Sequence, residues 1–192
     1  MLIVLSVIQL LCLSGEVDMF EWLKEAMHRY VGTDPTEHWP VRKPARLEFD
    51  LEARALNGIA FGDRFERLEL FGKPDNARPV YYQLFKYIGH GMVVEIENGL
   101  IDYISFIFAD EIDDEFRSPT VRFRSDAAKA SEMSKATMKS DLIAFFGEPA
   151  MIEADEFEIL LAYEIGGLKL EFELNLAEGL KRLNVFPKDA IH

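Results

Sequence analysis

Apolar residues recur along the chain with two different periods, and the change of period marks the predicted elements. Phe20, Leu23, Met27 and Tyr30 repeat at steps of three and four, so the stretch from Met19 reads as an amphipathic helix ended by Gly32. Met92, Val94 and Ile96 alternate with Val93, Glu95 and Glu97. Leu168, Leu170, Phe172 and Leu174 alternate in the same way with Lys169, Glu171 and Glu173. Period-two alternation predicts strands with one buried face. Asn98-Gly99 is a tight hairpin turn into a strand from Leu100 to Phe108, and the longer turn from Asn175 to Gly179 leads into Leu180 to Phe186. Val80 to Tyr87 and Phe157 to Tyr163 are two more strand-like runs, followed by glycine turns at Gly89-His90-Gly91 and Gly166-Gly167.

One segment occurs twice. Leu68-Glu69-Leu70-Phe71-Gly72-Lys73-Pro74 matches Ile143-Ala144-Phe145-Phe146-Gly147-Glu148-Pro149 at an offset of 75 residues. Each copy reads as a short helix with glycine in a left-handed cap, and the proline forbids continuation. Asp63 is the expected N-cap of the first helix, and Thr137 or Ser140 that of the second. The pattern predicts an α+β fold: two tandem helix–three-strand repeats forming one antiparallel sheet, with helices packed on one face. Residues 47–51 (LEFDL) and 119–124 (PTVRFR) fit either added strands or extensions of each repeat's helical part. The expected organisation is an apolar segment over 1–18, a helix and Pro-rich linker over 19–46, a first repeat over 47–116 and a second over 117–192.

The order helix–Gly-x-Pro–three strands, occurring twice, resembles the β-lactamase-inhibitor-protein-like fold of secreted β-lactamase inhibitors and small outer-membrane assembly lipoproteins. Asp141, Leu142, Phe145, Phe146, Gly147, Glu148 and Pro149 carry the resemblance, with Glu66, Leu70, Phe71, Gly72, Lys73 and Pro74 in the first copy. That family has Gly and then Ser or Thr before this helix, whereas here Ala136 and Met138 hold those places in the second copy. In the first copy Phe61 replaces the glycine, Asp63 fills the capping place and Arg67 replaces an apolar helix residue. The resemblance covers residues 58–186 as a pattern, names no partner, and would allow an envelope lipoprotein or secreted factor.

Composition narrows the classes. The 192 residues are 49% hydrophobic and 29% charged, as in a folded soluble domain. Twenty-one basic against 34 acidic side chains give a net charge of −13, which repels phosphate backbones and argues against nucleic-acid binding. A single cysteine, Cys12, excludes an internal disulfide framework. The apolar run over residues 1–13 is too short to span a bilayer and has no basic flank before it. A misassigned start ahead of Met19, a secretory or anchoring segment, and a buried segment all remain open readings of it. The expected compartment is cytoplasmic, or secreted or envelope-associated if residues 1–18 act as a signal. Three prolines with Arg42, Lys43 and Arg46 make residues 34–46 an expected surface linker.

Catalytic and metal signatures are sparse. His90, between two glycines, is expected at an exposed hairpin tip, with no nearby nucleophile or carboxylate at a useful spacing. His28 and His38 lack the i, i+4 pairing of helical zinc sites. Asp110, Glu111, Asp113, Asp114 and Glu115 crowd one loop but lack calcium-loop spacing. No cofactor, no metal and no enzymatic activity are expected. Alternation instead gathers Tyr81, Phe85, Val93, Glu95, Glu97, Tyr103, Ile107, Glu171, Glu173 and Phe186 on the second face of the sheet. An aromatic patch rimmed by charge is the composition of a partner surface. Two alternatives stay open: the N-terminal helix covers this face as a second core layer, or a one-residue register slip inverts it. The functional expectation is a non-catalytic interaction, inhibitor or immunity-type module for an unknown, basic protein partner. The alternatives are an enzyme with a carboxylate/His site between the repeats, or an envelope assembly factor.

Overall fold

The computed structural model describes residues 34–76, 84–109, 115–125 and 129–189. The N-terminal amphipathic segment, Tyr81 and the carboxylates from Asp110 to Asp114 lie outside the described residues.

Among the described residues seven antiparallel strands form the larger sheet. Chain order gives β4 (Leu84–Tyr87), β5 (Met92–Glu97), β6 (Leu100–Ile107), β9 (Met151–Ala154), β10 (Ile159–Ile165), β11 (Leu168–Leu174) and β12 (Leu180–Pro187). Spatial order is β4-β5-β6-β12-β11-β10-β9, so β6 and β12 meet at the centre. The predicted alternation is present: Met92, Val94 and Ile96 are buried on one face, as are Leu168, Leu170, Phe172 and Leu174.

What covers that face differs from the expectation. β1 (Leu47–Asp50), β2 (Ala55–Leu56), β3 (Ile59–Ala60), β7 (Val121–Arg124) and β8 (Ala130–Met133) form a second sheet in the order β3-β2-β1-β7-β8. β1 and β7 pair in parallel, Leu47 opposite Val121 and Phe49 opposite Phe123. The inward residues of this sheet, Leu47, Phe49, Val121, Phe123 and Met133, are in one core with the larger sheet. The predicted α+β arrangement, tandem helix–three-strand units with helices alone covering a single sheet, is therefore overturned. Among the described residues the fold is mostly β: helical structure is limited to α1 (Lys139–Phe146) and two 3-10 stretches, Phe65–Phe71 and Ile88–His90. The LEFDL and PTVRFR segments alternate apolar and polar residues, which suits strands and not helix extensions.

The two short helices plug gaps at the core margin. Leu68 and Phe71 of the first and Leu142 and Phe145 of the second are buried. Asp63 does not cap the first helix; it accepts bonds from the Ala60 amide and Arg67. Neither Thr137 nor Ser140 occupies the N-cap of α1. Met138 does, and its N–H is taken by the Asp141 carboxylate at 2.9 Å. The linker runs along the surface, with residues 40–46 exposed, and is anchored by Trp39, which is buried with its ring 6.1 Å from both Phe65 and Phe85.

Gly72 and Gly147 end these helices in one conformation, φ/ψ 87/−167° and 86/−163°. This is extended backbone at positive φ and not the left-handed cap expected, and it is essentially restricted to glycine. Their surroundings differ. A Cβ on Gly72 would lie 2.6 Å from the Pro40 carbonyl oxygen, whereas one on Gly147 meets nothing within 4 Å. Alanine at Gly147 is expected to cost about 1–3 kcal/mol from backbone strain. Alanine at Gly72 is expected to cost at least ~1 kcal/mol more, because the linker must move. Urea denaturation of the two variants checks the difference, and equal losses would contradict the close packing of the linker.

Candidate functional site

The outer face of the seven-stranded sheet is set by register. One row runs Val93–Ser105–Asn184–Glu171–Ala162, and the neighbouring row runs Ile107–Arg182–Glu173–Leu160. Glu95 sits opposite Tyr103, and Phe186 opposite Lys169. Alternation along β5 adds Glu97 at the hairpin end. The structure thus brings together Val93, Glu95, Glu97, Tyr103, Ile107, Glu171, Glu173 and Phe186, eight of the expected set.

Phe85 is a correction. It pairs with Val94 on the core face, is 3% exposed, and packs its ring against Trp39 and Phe65. It cannot touch a partner.

The gathered residues differ in accessibility. Glu95 and Glu97 are exposed; Val93, Tyr103, Glu171 and Glu173 are half-buried; Ile107 and Phe186 are buried. Tyr103 and Phe186 stack at 5.8 Å with an interplanar angle of 22°. Lys169 reaches Glu171 at 2.7 Å, and its ammonium lies 5.6 Å from the Phe186 ring centroid. Between the two rows runs a polar chain. The Ser105 hydroxyl donates to the Asn184 side-chain oxygen, and the Asn184 amide donates to Glu173, each at 2.9 Å. Burial pushes the Tyr103 phenol up to about 12, with the Glu173 carboxylate adding to the shift. This face therefore presents carboxylates around a fixed aromatic pair, held by bonds that also fix the strand register.

His90 is not at an exposed tip. It is 6% exposed, its Nε2 accepts the Ala45 N–H at 3.1 Å, and its ring meets Phe71 and Tyr87 edge-on. The glycine turn is covered, because a Cβ on Gly91 would lie 2.3 Å from the Arg117 carbonyl oxygen. His90 borders an open cavity of about 340 Å³ lined also by Arg46, Arg117 and Arg122. Arg46 pairs with Glu132, and Arg122 lies between Glu48 and Glu132 in strand register, so these cations face carboxylates across the sheet. Among the described residues no three His, Cys, Asp or Glu side chains converge as a metal site.

Sequence reasoning did not single out Met151, Ile152 and Phe157, exposed hydrophobics on and beside β9 at 36%, 51% and 72%. The available signal was the apolar pair Met151-Ile152 directly before the acidic run of residues 153–158.

No family model matches the chain, and no curated protein sequence matches it. It is similar to a solved structure, a DUF4309 family protein (YjgB) from Bacillus subtilis subsp. subtilis str. 168. The identity is 13% with a TM-score of 0.46, covering 69% of this chain and 84% of the other. A likeness this distant transfers no function. No helix among the described residues is long and apolar enough to cross a membrane.

Burial pushes the His90 imidazole down, opposed by the Asp75 charge. A depressed folded value means that the unfolded chain takes up the proton first. Stability is then complete above the unfolded imidazole value of about 6.5 and declines as pH falls through the lowered folded one. His90→Gln is expected to flatten that decline in urea midpoints measured from pH 7.5 to 5. An unchanged slope would assign the decline to other groups.

Proposed function

We propose that the protein is a non-catalytic interaction module of inhibitor or immunity type, which docks a basic protein partner on the acidic outer face of its larger sheet. The observation that carries this reading is the placement of Glu95, Glu97, Glu171 and Glu173 on one sheet face around the stacked Tyr103–Phe186 pair. A rigid sheet loses little conformational entropy on docking, and the half-buried Tyr103, backed by the buried Phe186, gives aromatic contact area of the kind on which interface energies concentrate. A net charge of −13 accelerates encounter with a cationic surface and disfavours nucleic acid.

Glu171 and Glu173 are tied to Lys169 and Asn184, so their reversal would disturb the face itself. Glu95 and Glu97 are exposed and give the cleaner test. A Glu95→Lys, Glu97→Lys variant is expected to bind a partner co-purified from the native cell with an association rate about tenfold lower at low salt, and with weaker salt dependence. Stopped-flow association measured at two ionic strengths checks this. A rate indifferent to both changes would remove this face from recognition.

A further inference from the structure

The larger sheet has two edges, and they are treated differently. At β4 the outer backbone groups are taken. Asn76 donates to the Leu84 carbonyl and accepts the Lys86 N–H, while the Asp75 N–H donates to the Lys86 carbonyl at 2.8 Å. That edge is closed by the chain itself.

The β9 edge is open among the described residues. There β9 pairs with β10 alone, Met151 opposite Ala162 through Ala154 opposite Ile159. The hairpin closes with the Asp155 N–H on the Glu158 carbonyl at 3.1 Å. Hydrogen-bonded positions alternate along an antiparallel pair, so Glu153 and Met151 direct their backbone groups at β10. The amides and carbonyls of Ile152 and Ala154 then point away from the sheet. All four β9 residues are exposed, and no described residue bonds those outward groups. An uncovered strand edge is a template for pairing with another chain.

The edge has a definite chemistry. Ile152 and Ala154 lie on the core-face side, where Ile152 continues the row of Leu161 and Phe172 at the margin. Met151 and Glu153 lie on the opposite side. Residues 151–158 (MIEADEFE) carry four carboxylates, those of Glu153, Asp155, Glu156 and Glu158, and no basic residue. An open groove of about 430 Å³ runs along Glu153, Ala154, Asp155, Glu158 and Leu160.

We infer that β9 accepts an extended segment of another protein as an eighth strand, one that alternates apolar and basic residues. Its backbone meets Ile152 and Ala154, its apolar side chains continue the Ile152 row, and its basic side chains sit on the Glu153 side. A second copy of this chain fits poorly, because pairing β9 with itself brings together two four-carboxylate hairpins between chains of net charge −13. The inference concerns a different surface from the outer face, so either can fail while the other stands.

The test uses the full chain labelled with ¹⁵N and two synthetic peptides, acetyl-Lys-Val-Lys-Val-Lys-Val-amide and its Lys-to-Glu counterpart. Expected is at least tenfold slower amide exchange at Ile152 and Ala154 with the lysine peptide, and no change with the glutamate peptide. Ile152→Pro removes an outward amide that β10 does not use, so it abolishes the protection read at Ala154 while the urea midpoint holds. Glu153→Lys, which leaves the backbone donors intact, weakens the lysine peptide at least tenfold. Shifts spread over Glu95, Glu97 and other carboxylates without protection at Ile152 and Ala154 would overturn the inference as charge adhesion only. So would absence of binding, equal protection by both peptides, or protection without peptide accompanied by a doubled mass in sedimentation.

Discussion

The contact between the two sheets organises everything else in the described structure. Phe49 and Phe123 stack at 5.4 Å across the parallel β1–β7 pair, and Phe123 turns its edge to Phe106 of the larger sheet at 6.3 Å. Phe146, at the end of α1, extends the cluster to Tyr163 and Phe172, both at 5.2 Å. These rings carry large apolar areas in offset or edge-on arrangements, which favours one packing over a fluid core. With the inner face committed in this way, the outer face of the larger sheet carries the polar chain and the Tyr103–Phe186 pair beside smaller apolar residues such as Val93 and Ile107.

That polar chain is structural and electrostatic at once. Ser105, Asn184 and Glu173 are linked across β6, β12 and β11, and a one-residue slip would break each of these bonds while turning apolar side chains outward. The network fixes where the carboxylates of the proposed docking face stand. Glu171 and Glu173 belong to that framework, whereas Glu95 and Glu97 project beyond it. The distinction separates residues that build the surface from residues free to act in encounter.

The sheet's edges show the same division between closed and available. Asp75 and Asn76 occupy the outer side of β4, a device that blocks strand addition without lengthening the sheet. At β9 the protection is electrostatic: acidic side chains repel another copy of the chain but would attract a cationic strand. Open hydrogen-bonding groups beside concentrated charge discriminate among partners by sign.

Local periodicity in the sequence was enough to place β5, β6, β11 and β12, their buried residues, and most of the outer-face set, because each strand's alternation states which side is apolar. The matching helix ends at Gly72 and Gly147 were also legible, since few residues besides glycine tolerate that backbone. Pairing partners were not. β1 and β7 lie far apart in the chain and join in parallel, so no turn signal announces the second sheet, and local pattern alone predicts helices in its place. Phe85 fell on the wrong face because the turn after Tyr87 places it opposite Val94, and only the length and path of that turn set the parity. His90 looked exposed between two glycines, yet residues 117–119 close over that turn from a distant part of the chain. Alternation is encoded residue by residue, whereas register, cover and open edges arise from contacts between segments that the sequence never sets side by side.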